Sequence, residues 1–100
     1  MKQTDKSANG TSFHNHTFTA TVDDLRNVLG QPYCEQNDGE DKVNFEWIME
    51  TEDGTVFTVY DWKEYRQLDE NEDIEWHIGG RSGLTTGKAL SEITKALDSI

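Results

Sequence analysis

The stretch VNFEWIMETEDGTVFTVYDW, residues 43–62, constrains the fold more than any other part of the chain. Asp53-Gly54 is a favoured pair for a two-residue hairpin turn, because glycine adopts the positive φ such turns need. That turn sets Glu52 opposite Thr55 and continues as Thr51–Val56, Glu50–Phe57 and Met49–Thr58, down to Glu46–Asp61 and Phe45–Trp62. Strand side chains alternate between faces. One face then collects Val43, Phe45, Trp47, Met49, Val56, Thr58, Tyr60 and Trp62, which reads as core. The other carries Glu46, Glu50, Glu52 and Asp61 around Ile48, Phe57 and Val59.

That second face is unusual. Glu46 opposite Asp61 is a like-charge pair, disfavoured by roughly a few tenths of a kcal/mol or more. Acids beside an apolar strip admit two readings. Something cationic docks there, or the C-terminal helix covers the strip and the acids rim it.

Period and punctuation place the remaining elements. FHNHTFTAT alternates from Phe13 onward and predicts a first strand. In TVDDLRNVLGQP, Thr21 and Asp24 form a capping-box-like start. Val22, Leu25, Val28 and Leu29 make a helical stripe, and Gly30 and Pro32 stop it. Tyr33 to Asp41 is a polar loop, and IEWHI, residues 74–78, is a further strand with Ile74, Trp76 and Ile78 on one side.

The segment HIGGRSGLTTGKALSEI imitates a phosphate loop, but Gly83 and Gly87 enclose three residues where the motif needs four. Ala89 replaces its metal-binding hydroxyl. The segment reads instead as strand end, loop and a helix beginning at Thr85 or Thr86, with the stripe Leu90, Ile93, Leu97 and Ile100. Helix N-terminal amides with Arg81 and Lys88 keep an anion-binding reading open. Residues 1–12 are polar and aperiodic and predict a disordered tail. Residues 13–100 then form one α+β domain in β-α-β-β-β-α order, a three- to four-stranded antiparallel sheet with helices packed on one face.

The charge is lopsided. The chain carries 20 acids against 9 bases, net −11, and residues 35–75 alone hold 15 acids with only Lys42, Lys63 and Arg66. Such a surface opposes direct binding of DNA or RNA backbone. No run approaches a membrane span, and residues 1–12 lack the apolar core of a secretion signal. The single cysteine, Cys34, fits a reducing cytosol and reads as an inert thiol.

Catalytic and metal-binding patterns are poor. His14 and His16 lack a third ligand at a recognised spacing, so no metal is expected. His77 beside Glu75 reads as a surface or half-buried histidine, and no nucleophile–base arrangement stands out. The expectation is a protein without enzymatic activity and without a cofactor.

TFTATVDDLRNVLGQPY, KVNFEWIMETEDGTVFTVYDWKEY and EWHIGG, with the closing amphipathic helix, resemble small proteins encoded by bacteriophages and prophages. The resemblance covers residues 16–97 and carries no catalytic residues. It implies an accessory protein acting in the bacterial cytoplasm, of the kind that includes anti-CRISPR and anti-restriction inhibitors. Two functions follow as expectations. In the first, an acidic, nucleic-acid-mimicking surface occupies the basic nucleic-acid site of a host or defence protein. Same-face strand carboxylates lie roughly 6.7 Å apart, comparable with neighbouring phosphates. The residues expected to carry it are Glu46, Glu50, Glu52, Phe57 and Asp61 of the hairpin, with Asp69, Glu70, Glu72, Asp73 and Glu75 of the following connection. In the second, the Gly79–Lys88 loop, with Tyr33 or Trp76, sequesters a nucleotide signal of antiviral defence.

Overall fold

A computed structural model describes residues 1–100. It is α+β, with strands β1 (Lys2–Gln3), β2 (Ser12–Ala20), β3 (Cys34–Glu35), β4 (Phe45–Glu50), β5 (Val56–Tyr60) and β6 (Ile74–Gly80). The helices are α1 (Val22–Leu29) and α2 (Gly83–Asp98). All pairings are antiparallel, in the order β1-β4-β5-β6-β2, with β3 also on β4. The longer elements keep the expected β-α-β-β-β-α order. The sheet has 6 strands because the dipeptides β1 and β3 add to β4.

Local chemistry explains α1. Thr21 stays extended and its hydroxyl accepts the Asp24 N–H at 3.0 Å, while Gly30, at φ 86°, closes the far end. Val22, Leu25 and Leu29 are buried together. In α2 the cap is Ser82, whose hydroxyl accepts the Thr85 N–H, so the helix starts earlier than its hydrophobic stripe suggests. Thr86, Ala89 and Ile93 are its buried positions, Leu90 and Leu97 pack at the margin, and Ile100 is exposed.

The hairpin register differs from the expected one by one residue. Gly54 N–H donates to Thr51 O, and Thr51 N–H to Thr55 O, both at 2.9 Å. With Gly54 at φ 85° this is a three-residue loop, a turn followed by a left-handed glycine, not a two-residue turn. Glu50 therefore pairs with Val56, Met49 with Phe57, and Glu46 with Tyr60. A shift of one residue flips every side chain of β5. Phe57, Val59 and the following Asp61 turn into the core, while Val56, Thr58, Tyr60 and Trp62 belong to the other face.

The core lies between this inner face and the two helices. Phe45, Trp47 and Met49 of β4, Phe57 and Val59 of β5, and Ile74, Trp76 and Ile78 of β6 meet Val22, Leu25, Leu29, Ala89 and Ile93. Trp47 and Trp76 sit edge to face at 5.5 Å, and their indole N–H groups donate to Gly30 O and Ala20 O. Each buried indole thus has its donor satisfied, which avoids the cost of an orphaned polar group.

Residues 1–12 also depart from expectation. β1 pairs with β4, and the Gln3 amide donates to Leu29 O and Gln31 O. The chain then crosses the outer face of the sheet near the hairpin tip. Lys6 reaches Glu50 and Gly54 O, and Arg81 holds Ser7 O and Asn9 O. Polar composition does not reveal these contacts, because hydrogen bonds from polar side chains fix most of the segment while Met1 alone packs against the core.

Candidate interaction surface

The residues expected at the interface fall into three environments. Phe57 and Asp61 are fully buried, so neither is presented to a partner. Asp61 is a structural anchor. Its carboxylate accepts the backbone N–H groups of Asn44 and Phe45, each at 2.8 Å, and the Asn44 side-chain amide at 3.1 Å. It therefore does not confront Glu46, which lies across from Tyr60.

A second group is paired within the chain. Glu50 is buried between Lys6 at 2.7 Å and Lys2 at 3.6 Å, and Lys6 holds its carboxyl below the usual range. Glu72 forks onto Arg66, which lowers its pKa in turn, and Glu70 shares Arg26 with Glu35. At the hairpin tip Lys88 draws Asp53 well below the ordinary carboxylate range.

The third group has no cationic partner. Glu46, Glu52, Asp69, Asp73 and Glu75 make no ion pair. Glu52 is at the hairpin tip, whereas Asp69, Asp73 and Glu75 are exposed at the opposite end of the sheet. There the 61–73 connection is pinned in place. Asn37 imitates a strand toward Leu68, its amide donating at 2.8 Å and its carbonyl accepting at 2.7 Å, and Leu68 is buried. Asp23 N–H donates to Glu70 O at 2.9 Å. The result is a polar groove of about 610 Å³ bordered by Asp23, Glu35, Asp69 and Glu70. The sequence did not place Asp23 and Glu35 with this cluster, since both come from distant elements.

The outer face of the sheet carries a different feature. Beyond the N-terminal crossing, Phe13, His77, Tyr60 and Trp62 form a row of rings, with successive centroids 4.8, 5.8 and 6.1 Å apart. Glu46 borders it from β4 and Glu75 precedes it on the same face of β6. Burial pushes the Glu46 carboxyl above its usual range. Burial and the nearby Glu46 charge raise the Tyr60 phenol as well.

His14 and His16 bond to separate partners, Gly80 O and the Thr86 hydroxyl, and no three His, Cys, Asp or Glu side chains converge on a metal-sized site. Cys34 is exposed. In the Gly79–Lys88 segment, Arg81 is bound to backbone carbonyls and Lys88 to Asp53, so both cations already have acceptors. No helix is long and apolar enough to cross a membrane.

Comparison with family models, with curated proteins and with solved structures found no match. None of these comparisons bears on the phage resemblance.

Proposed function

We propose that this chain is a non-catalytic inhibitor of the anti-defence type, presenting an acidic surface to the basic nucleic-acid site of a protein. The observation that carries the reading is the groove of Asp23, Glu35, Asp69 and Glu70, extended by exposed Asp73 and Glu75. Its carboxylates come from three parts of the chain, and Arg26 alone joins two of them. A surplus of negative charge held by Asn37 and Arg26 loses less entropy on docking than the same charge on a free loop. Complementary charge of this kind accelerates association and makes it salt-dependent. Glu46 and Glu75 on the outer face extend the same sign of charge. Glu50, Phe57 and Asp61 are left out of the surface because they are buried.

The test is affinity capture from a bacterial lysate, followed by competition. The reading expects a captured nucleic-acid-processing protein that added DNA or RNA displaces and that rising salt releases. An Asp69→Lys, Glu70→Lys double variant should associate more slowly, with a weaker dependence on ionic strength. Retention of a partner without nucleic-acid-binding activity, or normal binding by the charge-reversed variant, refutes it.

A further inference from the structure

The row of rings on the outer face walls a groove of about 230 Å³ whose lining includes Val43, Glu46, Thr58, Tyr60, Trp62 and Gly79. A second hollow of about 440 Å³, between Phe13, His77, Tyr60 and Trp62, adjoins it across the shared rings. The depth of the groove depends on Gly79. A Cβ there would lie 2.5 Å from the Thr58 hydroxyl, so only glycine leaves the floor open. We propose that this groove receives one arginine side chain of a partner protein, stacked on the Trp62 ring, which stands nearly perpendicular to Tyr60, with its guanidinium on the Glu46 carboxylate.

Three observations select that occupant. Glu46 is half-buried yet has neither a hydrogen bond nor an ion pair, so part of its hydration is lost without replacement. A cation restores what burial removed. The Trp62 ring already attracts cations, for Lys42 lies 5.9 Å and Lys63 5.5 Å from its centroid, and neither lysine has an ion-pair partner. The Lys63 N–H bonds to Lys42 O, which keeps the two residues side by side at the ring. Finally, the groove combines flat rings with one carboxylate. A planar guanidinium stacks and forks at the same time, whereas an ammonium is a point charge with a tighter hydration shell. A nucleotide would also stack, but its phosphate would meet Glu46 and then Glu75. The inference takes from the proposed function only that the partner is a protein. The groove shares no residue with the acidic groove at the end of the sheet.

A titration of the ¹⁵N-labelled protein with the peptide acetyl-Gly-Arg-Gly-amide, followed by NMR, tests it. The indole N–H signals of Trp47 and Trp76 serve as internal controls, since both groups are buried and hydrogen-bonded. Trp62 is the reporter. The expected result is a saturable shift of the Trp62 indole and of the Thr58 and Gly79 amides, absent with the norleucine peptide. Glu46→Gln should weaken binding about fivefold, the loss of one charge-assisted contact at a half-exposed site. Trp62→Leu should remove it, and Lys42→Ala with Lys63→Ala should strengthen it by freeing the ring. The Asp69→Lys, Glu70→Lys variant should bind the peptide normally, which separates this site from the acidic groove. Unmoved Trp62, an equal response to norleucine, or unchanged affinity in Glu46→Gln with Trp47 and Trp76 signals intact would each overturn the proposal. So would saturation of the Trp62 shift by oligothymidylate instead of the peptide.

Discussion

Replacing Asp61 by alanine should test whether an acid in an acidic surface protein can be wholly structural. Its carboxylate is fully buried and takes two backbone N–H groups and one side-chain amide at the start of β4. Alanine leaves those donors without an acceptor, and each orphaned buried donor costs roughly 1–3 kcal/mol. Removing the carboxylate also returns the cost of burying a charge that has no cationic partner, so the net loss falls below the simple sum. About 3 kcal/mol is the expected figure, a large share of the roughly 5–15 kcal/mol that holds a domain together. For 100 residues that corresponds to a fall in Tm of about 15 °C. Urea unfolding at pH 7, followed by the fluorescence of buried Trp47 and Trp76, reads it directly. The slope should be unchanged and the midpoint lower. Asp61→Asn, which keeps one acceptor oxygen, should lose about half as much. A loss under about 1 kcal/mol for alanine would mean that water reaches these amides, and the anchoring argument would fail.

Other expectations follow from the same geometry. Gly54→Val forces a β-branched residue to φ 85°, and should destabilise by about 1–2 kcal/mol in a thermal melt. Glu46→Gln should stabilise the fold at pH 7 by less than roughly 1 kcal/mol, because the raised pKa marks an unfavourable charge that solvent partly screens. The pKa of Glu50 is depressed chiefly by Lys6, so its contribution is present above the unfolded value of about 4.3 and is lost as pH falls through the folded one. Lys6→Ala should therefore flatten the acid limb of a stability–pH profile measured by urea midpoints. Glu70→Lys with Glu72→Lys sets lysines against Arg26 and Arg66, and should lower Tm slightly, since exposed pairs are worth about 0–1 kcal/mol.

Much of the scaffold was legible where one signal acted alone. Thr21, Asp24 and Gly30 punctuate α1 in the sequence as they do in the structure. The alternation Phe45, Trp47, Met49 gave the inner face of β4. In β5 the same rule had no purchase, because VFTVY is apolar at both phases, with Val56 and Tyr60 against Phe57 and Val59. The choice fell to the turn, and one extra loop residue reversed it. That reversal hid the groove, since it had assigned Tyr60 and Trp62 to the core. The acidic surplus was plain, but the hydrogen-bonded pairs Arg66–Glu72, Arg26–Glu70 and Lys6–Glu50 join residues 6 to 44 apart along the chain.

The two dipeptide strands on β4 have a consequence for assembly. An apolar strand such as FEWIME, left with a free row of amides and carbonyls, is a template for pairing with other chains. Here β1 covers Met49 and Glu50, and β3 covers Phe45 and Glu46, which leaves too short a gap for a foreign strand to extend. On the far side, β2 breaks its own ladder between Phe13 and Thr17, where Asn15 adopts φ 69°. Neither margin offers a long flat ladder. Strand addition, the common route to fibres and to swapped dimers, is thereby discouraged.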